Sequence, residues 1–125
     1  MPGLGISDVL IIDVSGEIEH RNTKHCVCVS VSKNKYFMIN TKHREMYDDF
    51  EIESSEYGFL NGVNRFVSCS LMREFDVGKI IRKVGNLSKN DMRKIIDKMK
   101  KSDYLYKIER DLVIPEIEEW MDANS

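Results

Sequence analysis

Short apolar runs separated by polar turns fill the first two-thirds of the chain and predict β-strands. Residues 9–14 form a first strand by their length and β-branched content, and residues 26–31 form a second. Residues 17–24 between them are polar and predict a loop. The Ser-Lys-Asn-Lys turn at 32–35 leads into a third strand that begins with residues 36–40, so the second and third strands predict a hairpin. Two further strand candidates are residues 51–53 and 65–70.

The last third of the chain changes to helical periodicity. Ser88 is placed to cap a helix, and Asp91 is placed to reach back as the acid of a capping box. An apolar stripe at i, i+3, i+4 and i+7 follows, which predicts an amphipathic helix. The stripe consists of Met92, Ile95, Ile96 and Met99.

A final short helix is predicted to begin at Pro115, a favoured first helical residue. It belongs to an acidic C-terminal extension, residues 103–125. Two arrangements of this extension are open. It lies against a basic surface, or it docks through Ile117 and Trp120 with its acids in water. The acids of its first turn are Glu116, Glu118 and Glu119.

Strands followed by helices, without a repeat or a linker, indicate one α+β domain over residues 1–125 with a small barrel-like sheet. The 125 residues are 42% hydrophobic and 32% charged, which is ordinary for a globular domain and excludes intrinsic disorder. No segment is apolar enough to span a membrane, and no signal peptide is recognisable. An odd set of three cysteines in apolar stretches indicates a reducing compartment. We therefore expect a cytoplasmic protein without membrane association.

The net charge of −2 conceals blocks of opposite sign. Residues 20–44 carry six bases, no acid and all three histidines, whereas residues 45–57 carry six acids and no base. Residues 79–101 are again basic, with nine bases against two acids. Near-neutrality excludes a uniformly basic nucleic-acid coat protein, but it is compatible with a local polyanion site or with charge pairing inside the molecule.

The basic block around the predicted hairpin is the candidate site. In an antiparallel hairpin the start of one strand lies beside the end of the next, so polar residues before the second strand should meet those after the third. Such a patch suits a phosphate group. The alternative is a solvated basic end neutralised by residues 45–57. Neither a metal site nor a cofactor site is indicated. The two clusters consist of His20, Arg21, Lys24 and His25, and of Thr41, Lys42, His43 and Arg44.

From about residue 7 to 101 the order of elements resembles the PemK/MazF family of toxins from type II toxin–antitoxin systems. Residues 8–13 are similar to the family's first strand, and Lys24-His25 stands where the family has Arg-Pro. Ile39-Asn40-Thr41 matches a strand that ends in Thr or Ser. Residues 66–76 resemble a strand followed by an Arg in a turn and an Asp, and residues 84–88 resemble the family's Gly-x-Leu-Ser entry to a helix.

This resemblance implies an SH3-like antiparallel β-barrel with C-terminal helices, usually a homodimer. It also implies a metal-independent endoribonuclease that cleaves single-stranded RNA by 2′-hydroxyl attack and is restrained by a cognate antitoxin protein. By position the family's catalytic Arg and Thr fall on Lys24 and Thr41, with His20 or His25 for proton transfer. The side chains expected to bind RNA are Arg21, Lys42, His43, Arg44, Ser70 and Arg73.

A second hypothesis is a catalytically inactive SH3-like module that binds RNA or a protein partner. This hypothesis is based on departures from the family pattern. Lys24 replaces Arg and His25 replaces Pro. Ser68 and Ser70 stand where some members have Arg and Asp. Lysine offers a point charge to phosphate where arginine offers a bidentate fork.

Overall fold

The computed structural model describes residues 3–18 and 22–124, in which six strands form one antiparallel sheet and two helices follow. The strands lie side by side in the order β4-β5-β3-β2-β1-β6. None of the helices in this part of the chain is long and apolar enough to cross a membrane. The elements are β1 (Asp8–Asp13), β2 (Thr23–Ser30), β3 (Lys35–Asn40), β4 (Phe50–Ile52), β5 (Arg65–Val67), β6 (Ile80–Asn86), α1 (Lys89–Lys101) and α2 (Lys107–Ala123), with short 3-10 turns at Glu45–Tyr47, Gly58–Leu60 and Val77–Lys79.

Six strands followed by two helices confirm the α+β class. The sheet itself is open, which differs from the expected barrel. Strands β4 and β6 are the two edges and do not pair with each other within the described residues. Strands β4 and β5 have three residues each, so the hydrogen-bond ladders on this side of the sheet are short. Closure of a barrel would need this side to curve until β4 reached β6. Within residues 3–18 and 22–124 the sheet therefore does not close into the SH3-like barrel that the resemblance implies.

The β2–β3 hairpin is confirmed and forms the centre of the sheet. Val27 pairs with Phe37 and Cys28 with Tyr36 in an antiparallel register. All four side chains are fully buried. Because successive residues of a strand point to opposite faces, these pairs show that both faces of the hairpin are covered.

The two faces carry two apolar clusters. The larger one packs Val27, Phe37 and Ile39 against both helices, and includes the predicted α1 stripe with Ile117 of α2. The smaller one, on the other face, is closed by Phe75 from the segment before β6. Its fully buried strand residues are Leu10, Ile12, Cys26, Cys28 and Tyr36.

Helix α1 confirms its predicted start, with one change in the capping box. The Ser88 hydroxyl accepts a hydrogen bond from the Asp91 N–H at 3.1 Å, as expected. The Asp91 carboxylate, however, accepts from the Tyr57 hydroxyl at 2.5 Å, and that hydroxyl accepts the Ser88 N–H at 2.9 Å. The Tyr57 hydroxyl therefore lies between the Ser88 N–H and the Asp91 carboxylate. Burial, followed by the bond to Asp91, raises the pKa of Tyr57 to about 12.

Helix α2 begins at Lys107, so the prediction that the final helix begins at Pro115 is wrong. Pro115 lies inside the helix, where it removes the hydrogen bond to the carbonyl of Asp111. Asp111 is exposed, so water is available to that carbonyl. Burial of Val113 and Ile114 before the proline favours a helix that continues through it.

Glu116 fastens α2 to the turn of the hairpin. Its carboxylate accepts hydrogen bonds from the Ser30 and Ser32 hydroxyls at 2.6 and 2.7 Å, and from the Val31 and Ser32 N–H groups at 2.9 and 3.2 Å. Ile117 is fully buried and Trp120 is half-buried against the core. The extension thus docks through its apolar residues, and one of its acids serves the contact.

Candidate functional site

A cavity of about 290 Å³ lies where β2 begins and β3 ends. Lys24 lines it from the start of β2, and Thr41 lines it from the residue after β3. The antiparallel hairpin brings these positions together because His25 pairs with Ile39 one residue further into the sheet. The complete lining consists of Ile18, Lys24, Met38, Asn40, Thr41, Lys42, Arg44 and Tyr47.

The charged side chains that line the cavity in the described part of the chain are all cations. Lys24, Lys42 and Arg44 contribute three positive charges, and no Asp or Glu of the described residues lines the cavity. Arg44 lies over the ring of Tyr47, with the guanidinium carbon 6.0 Å from the ring centroid. This arrangement suits an anion of the size of a phosphate group with an attached sugar or base.

Buried Asp49 fixes the turn that carries Arg44. Its carboxylate accepts a hydrogen bond from the Arg44 N–H at 2.9 Å and lies 2.5 Å from His43 Nδ1. The Asp49 side chain is fully buried, while that of His43 is 60% exposed. The aspartate therefore holds the backbone of this turn through the Arg44 N–H, while the Arg44 guanidinium lies over the Tyr47 ring.

Asn40 supplies a donor that the described protein groups leave unused. Its side-chain Nδ2 is buried and has no hydrogen-bond partner among residues 3–18 and 22–124. An unpaired buried donor costs about 1–3 kcal/mol, so a ligand oxygen in the cavity would relieve that cost. Asn40 follows Met38 by two residues in β3, so the two side chains share one face of the sheet, and both line the cavity. This period of two is the signal from which the sequence could have placed Asn40 at the site.

His25 does not join Lys24 and Thr41. It pairs with Ile39 on the helix-bearing face of the sheet and stacks on Phe59, with ring centroids 6.2 Å apart and planes 17° apart. Lys24 is its neighbour in β2 and so projects from the opposite face. The expectation of one cluster that holds both residues is corrected by this alternation.

His43 also lies outside the cavity. Its imidazole is bound to Asp49 and borders a neighbouring depression of about 680 Å³, which it shares with Arg44 and Asp103. Its ring packs against Phe66 with centroids 5.6 Å apart. Arg44 thus separates two recesses, of which the one with Lys24 and Thr41 contains no histidine among the described residues.

The remaining expected site residues are dispersed. Ser70 is buried, and Arg73 pairs with Tyr36 through reciprocal backbone hydrogen bonds of 2.9 Å, at the opposite end of β3 from Thr41. Neither lines the cavity. The expectations for His20 and Arg21 fall outside the described residues.

No protein-family model matches this chain, and no curated protein matches its sequence. Across residues 3–18 and 22–124, no three His, Cys, Asp or Glu side chains are grouped so that they could hold a metal ion. What the described site offers is a set of cationic and hydrogen-bonding groups around one cavity.

Proposed function

We propose that this protein is a metal-independent endoribonuclease that cleaves single-stranded RNA in the Lys24–Thr41 cavity. The observation that carries the proposal is the convergence of Lys24 and Thr41 on one recess that, among residues 3–18 and 22–124, is lined by cations and by no carboxylate. By position, these two residues also stand where the PemK/MazF family has its catalytic Arg and its Thr or Ser, with Lys24 in place of the Arg. The cavity geometry supports the proposal because it brings Lys24 and Thr41 to one recess, and the resemblance supports it because it points to the same two positions.

The proposed reaction is attack of an RNA 2′-hydroxyl on its own 3′-phosphate. The 2′-hydroxyl gives its proton to a solvent water molecule as the 2′-oxygen forms a bond to phosphorus. The bond from phosphorus to the 5′-oxygen breaks, and the leaving oxygen takes up a proton from the Lys24 ammonium. The products are a 2′,3′-cyclic phosphate and a 5′-hydroxyl. Negative charge grows on the phosphoryl oxygens during attack, and preorganised cations and donors stabilise it.

Within that reaction each lining residue has a distinct task. Lys42 and Arg44 hold the substrate's phosphate groups, and the Lys24 ammonium offsets the charge of the pentacoordinate phosphorus. The Thr41 hydroxyl and the Asn40 amide donate hydrogen bonds to phosphoryl oxygens. Since His25 lies on the opposite face of the sheet, the proposal gives the proton donation to the leaving oxygen to the Lys24 ammonium.

A second candidate is an RNA-binding module without catalysis. It is favoured by the lack of an imidazole among the described residues that line the cavity, since His25 and His43 both project elsewhere. A general base usually contributes about 10²- to 10⁴-fold to the rate, so its absence would leave binding with little turnover. The two candidates share the binding site and differ in the reaction.

The proposal includes the partners that the family resemblance implies. They are single-stranded RNA, a cognate antitoxin protein and a second copy of the chain in a homodimer, all in the cytoplasm. Mass measurement of the purified protein in solution tests the dimer, and rescue of growth by a co-expressed neighbouring gene product tests the antitoxin.

Cleavage in the presence of EDTA is the decisive experiment. Purified protein is incubated with end-labelled single-stranded RNA, and the products are analysed for 2′,3′-cyclic ends. Thr41→Ala and Lys24→Ala should each reduce the cleavage rate by roughly 10²-fold or more, whereas Thr41→Ser should restore much of it. Lys33→Ala is the matched control, because Lys33 is an exposed turn residue at the far end of the hairpin.

The outcomes separate the candidates. EDTA-resistant cleavage that disappears in Thr41→Ala supports the nuclease. RNA binding without cleavage, weakened by Lys24→Ala but not by Lys33→Ala, supports the binding module. Cleavage that is unaffected by either cavity variant would refute the assignment of the site.

A further inference from the structure

The helix-bearing face of the sheet has an open, positively charged corner. Arg82 of β6 lies opposite Ile11 of β1, and Ile11 lies opposite His25 of β2. Directly opposed residues of antiparallel strands carry their side chains to the same face. Arg82 is exposed and Ile11 and His25 are half-buried, whereas Val9 and Val27, the next residues of that face, are fully buried.

Phe59 lies beside His25 at this positively charged corner and borders it on one side. Its ring stacks on His25 and lies directly over Gly85 of β6, where an added Cβ would stand 2.9 Å from Phe59 Cδ1. The glycine thus permits a contact that any side chain would block. The imidazole is half-buried and lies nearly parallel to the Phe59 ring.

Arg65 adds a second guanidinium to the corner. It lies two residues before buried Val67 in β5 and pairs with Ile52, so it shares the helix-bearing face. Its Nε is buried without a hydrogen-bond partner among residues 3–18 and 22–124, and neither Arg65 nor Arg82 has an ion pair with a described residue. The acid that the register puts on this face, Asp13, accepts two hydrogen bonds from Ser15.

The charged groups around His25 are cations. Burial lowers the pKa of His25, and the charges of Arg65, Arg82 and Lys24 lower it further. The folded protein therefore holds a neutral imidazole among cations near neutral pH. A bound anion would offset the repulsion and raise that pKa again.

We propose that Arg65, Arg82 and His25 form a second anion site, which binds a phosphate group of a single-stranded nucleic acid on the face opposite the Thr41 cavity. A guanidinium group matches phosphate geometry, and neither arginine has a carboxylate partner among residues 3–18 and 22–124. The Phe59 ring with the adjacent imidazole offers a surface on which a base can stack. Lys24 and His25 are neighbours in β2, so the two sites lie back to back at one end of that strand.

This inference rests on the proposed function for the identity of the ligand, but it does not require cleavage. A nucleic acid that passes around this end of the sheet reaches the cavity on one face and the arginines on the other. The second site would then hold substrate outside the reaction centre. It would set affinity and salt dependence and leave the reacting atoms untouched.

Binding of a short single-stranded DNA oligonucleotide tests the site without turnover, because the probe lacks the 2′-hydroxyl. Arg65→Gln and Arg82→Gln should each weaken binding by roughly three- to tenfold and flatten its dependence on salt. Arg93→Gln on the exposed side of α1 is the matched control and should change affinity by less than about twofold. Arg82 is exposed, so its substitution leaves the core intact.

A second readout is the pKa of His25, followed by NMR with and without the oligonucleotide. It should rise on binding in the wild-type protein and rise less in Arg82→Gln. Equal affinities for Arg65→Gln, Arg82→Gln and Arg93→Gln, with no change at His25, would overturn the second site. So would arginine-dependent binding to anionic lipid vesicles with unchanged oligonucleotide affinity, because the partner would then be a membrane.

The two proposals fail separately. If the oligonucleotide binds through Arg65 and Arg82 but RNA stays intact, the nuclease is wrong and the second site stands. If RNA is cleaved in a Thr41-dependent manner while the arginine variants bind and cleave normally, the second site is wrong and the nuclease stands.

Discussion

Replacement of Glu116 by alanine should loosen α2 from the β2–β3 hairpin. The Glu116 carboxylate accepts four hydrogen bonds from three consecutive residues of the turn, Ser30, Val31 and Ser32, at 2.6 to 3.2 Å. These residues are more than 80 positions away in sequence. One side chain thus ties the C-terminal helix to the central hairpin.

The size of the effect follows from which donors water can reach. A hydrogen bond to a charged group contributes about 1.5–3 kcal/mol when no water replaces it. Val31 and Ser32 are exposed, so water compensates most of their loss, whereas the Ser30 hydroxyl is buried. We therefore expect Glu116→Ala to lower the free energy of unfolding by about 2 kcal/mol and the Tm by roughly 5–10 °C. Glu116→Gln keeps one carbonyl oxygen and should lose about 1 kcal/mol.

Urea unfolding followed by circular dichroism measures this change, and Glu119→Ala is the control. Glu119 is exposed on the same helix and has no hydrogen bond or ion pair with the described residues. Its substitution should alter the free energy of unfolding by less than about 0.5 kcal/mol. If Glu116→Ala and Glu119→Ala are equally stable, the carboxylate does not hold the helix and the reasoning is refuted.

The same contact has a predicted pH dependence. Burial alone would raise the pKa of Glu116, but the hydrogen bonds from Ser30, Ser32 and Val31 outweigh it and hold the pKa below its ordinary value of 4.5. The stabilisation is then fully present above that ordinary value and disappears as the pH falls through the lower folded-state value. The difference in stability between wild type and Glu116→Gln should shrink below about pH 4. A difference that stays constant down to acid pH would contradict this.

Three further predictions concern buried contacts. Tyr57→Phe removes the phenol that accepts the Ser88 N–H and should reduce the free energy of unfolding by about 1–2 kcal/mol in urea titrations, with an unchanged m-value. Gly85→Ala drives a methyl group into the Phe59 ring and should cost about 1–3 kcal/mol by the same assay, a loss that Phe59→Leu should partly reverse. All three cysteines are buried, and burial raises the pKa of the Cys26 thiol to about 12, so a thiol reagent at about pH 8 should label them only after unfolding.

The hairpin and α1 were predictable from the sequence. The hairpin strands are short runs of consecutive buried residues joined by a polar turn, and α1 buries a stripe of residues at helical spacing, so both patterns can be recognised along the chain. Strand β6 was missed because it is an edge strand whose pairing with β1 is interrupted by two register shifts. Those irregularities break the alternation, and residues 81–83 are all exposed.

The start of α2 was misplaced for a different reason. Proline at a first helical position is a common signal, and Pro115 followed by acids fits it. The helix in fact begins eight residues earlier, at Lys107, behind Tyr106, which makes no side-chain cap hydrogen bond. Burial of Val113 and Ile114 in the core favours a helix that already includes the residues before Pro115. Packing of this kind cannot be recognised from the local sequence.

The sequence grouped Lys24 and His25 as one cluster, and the structure separates them across the sheet, which makes the role of each testable. His25 faces Phe59 and the arginine corner, away from Thr41. His25→Ala should therefore raise the KM for RNA by a few fold and leave kcat nearly unchanged, whereas Lys24→Ala should reduce kcat by roughly 10²-fold or more. If His25 were the general base, its removal would cost at least about 10²-fold in kcat and abolish the acidic limb of the pH profile. Such a loss in His25→Ala would mean that the imidazole reaches the reacting phosphate, and the division of this end of β2 into a reaction face and a binding face would fail with it.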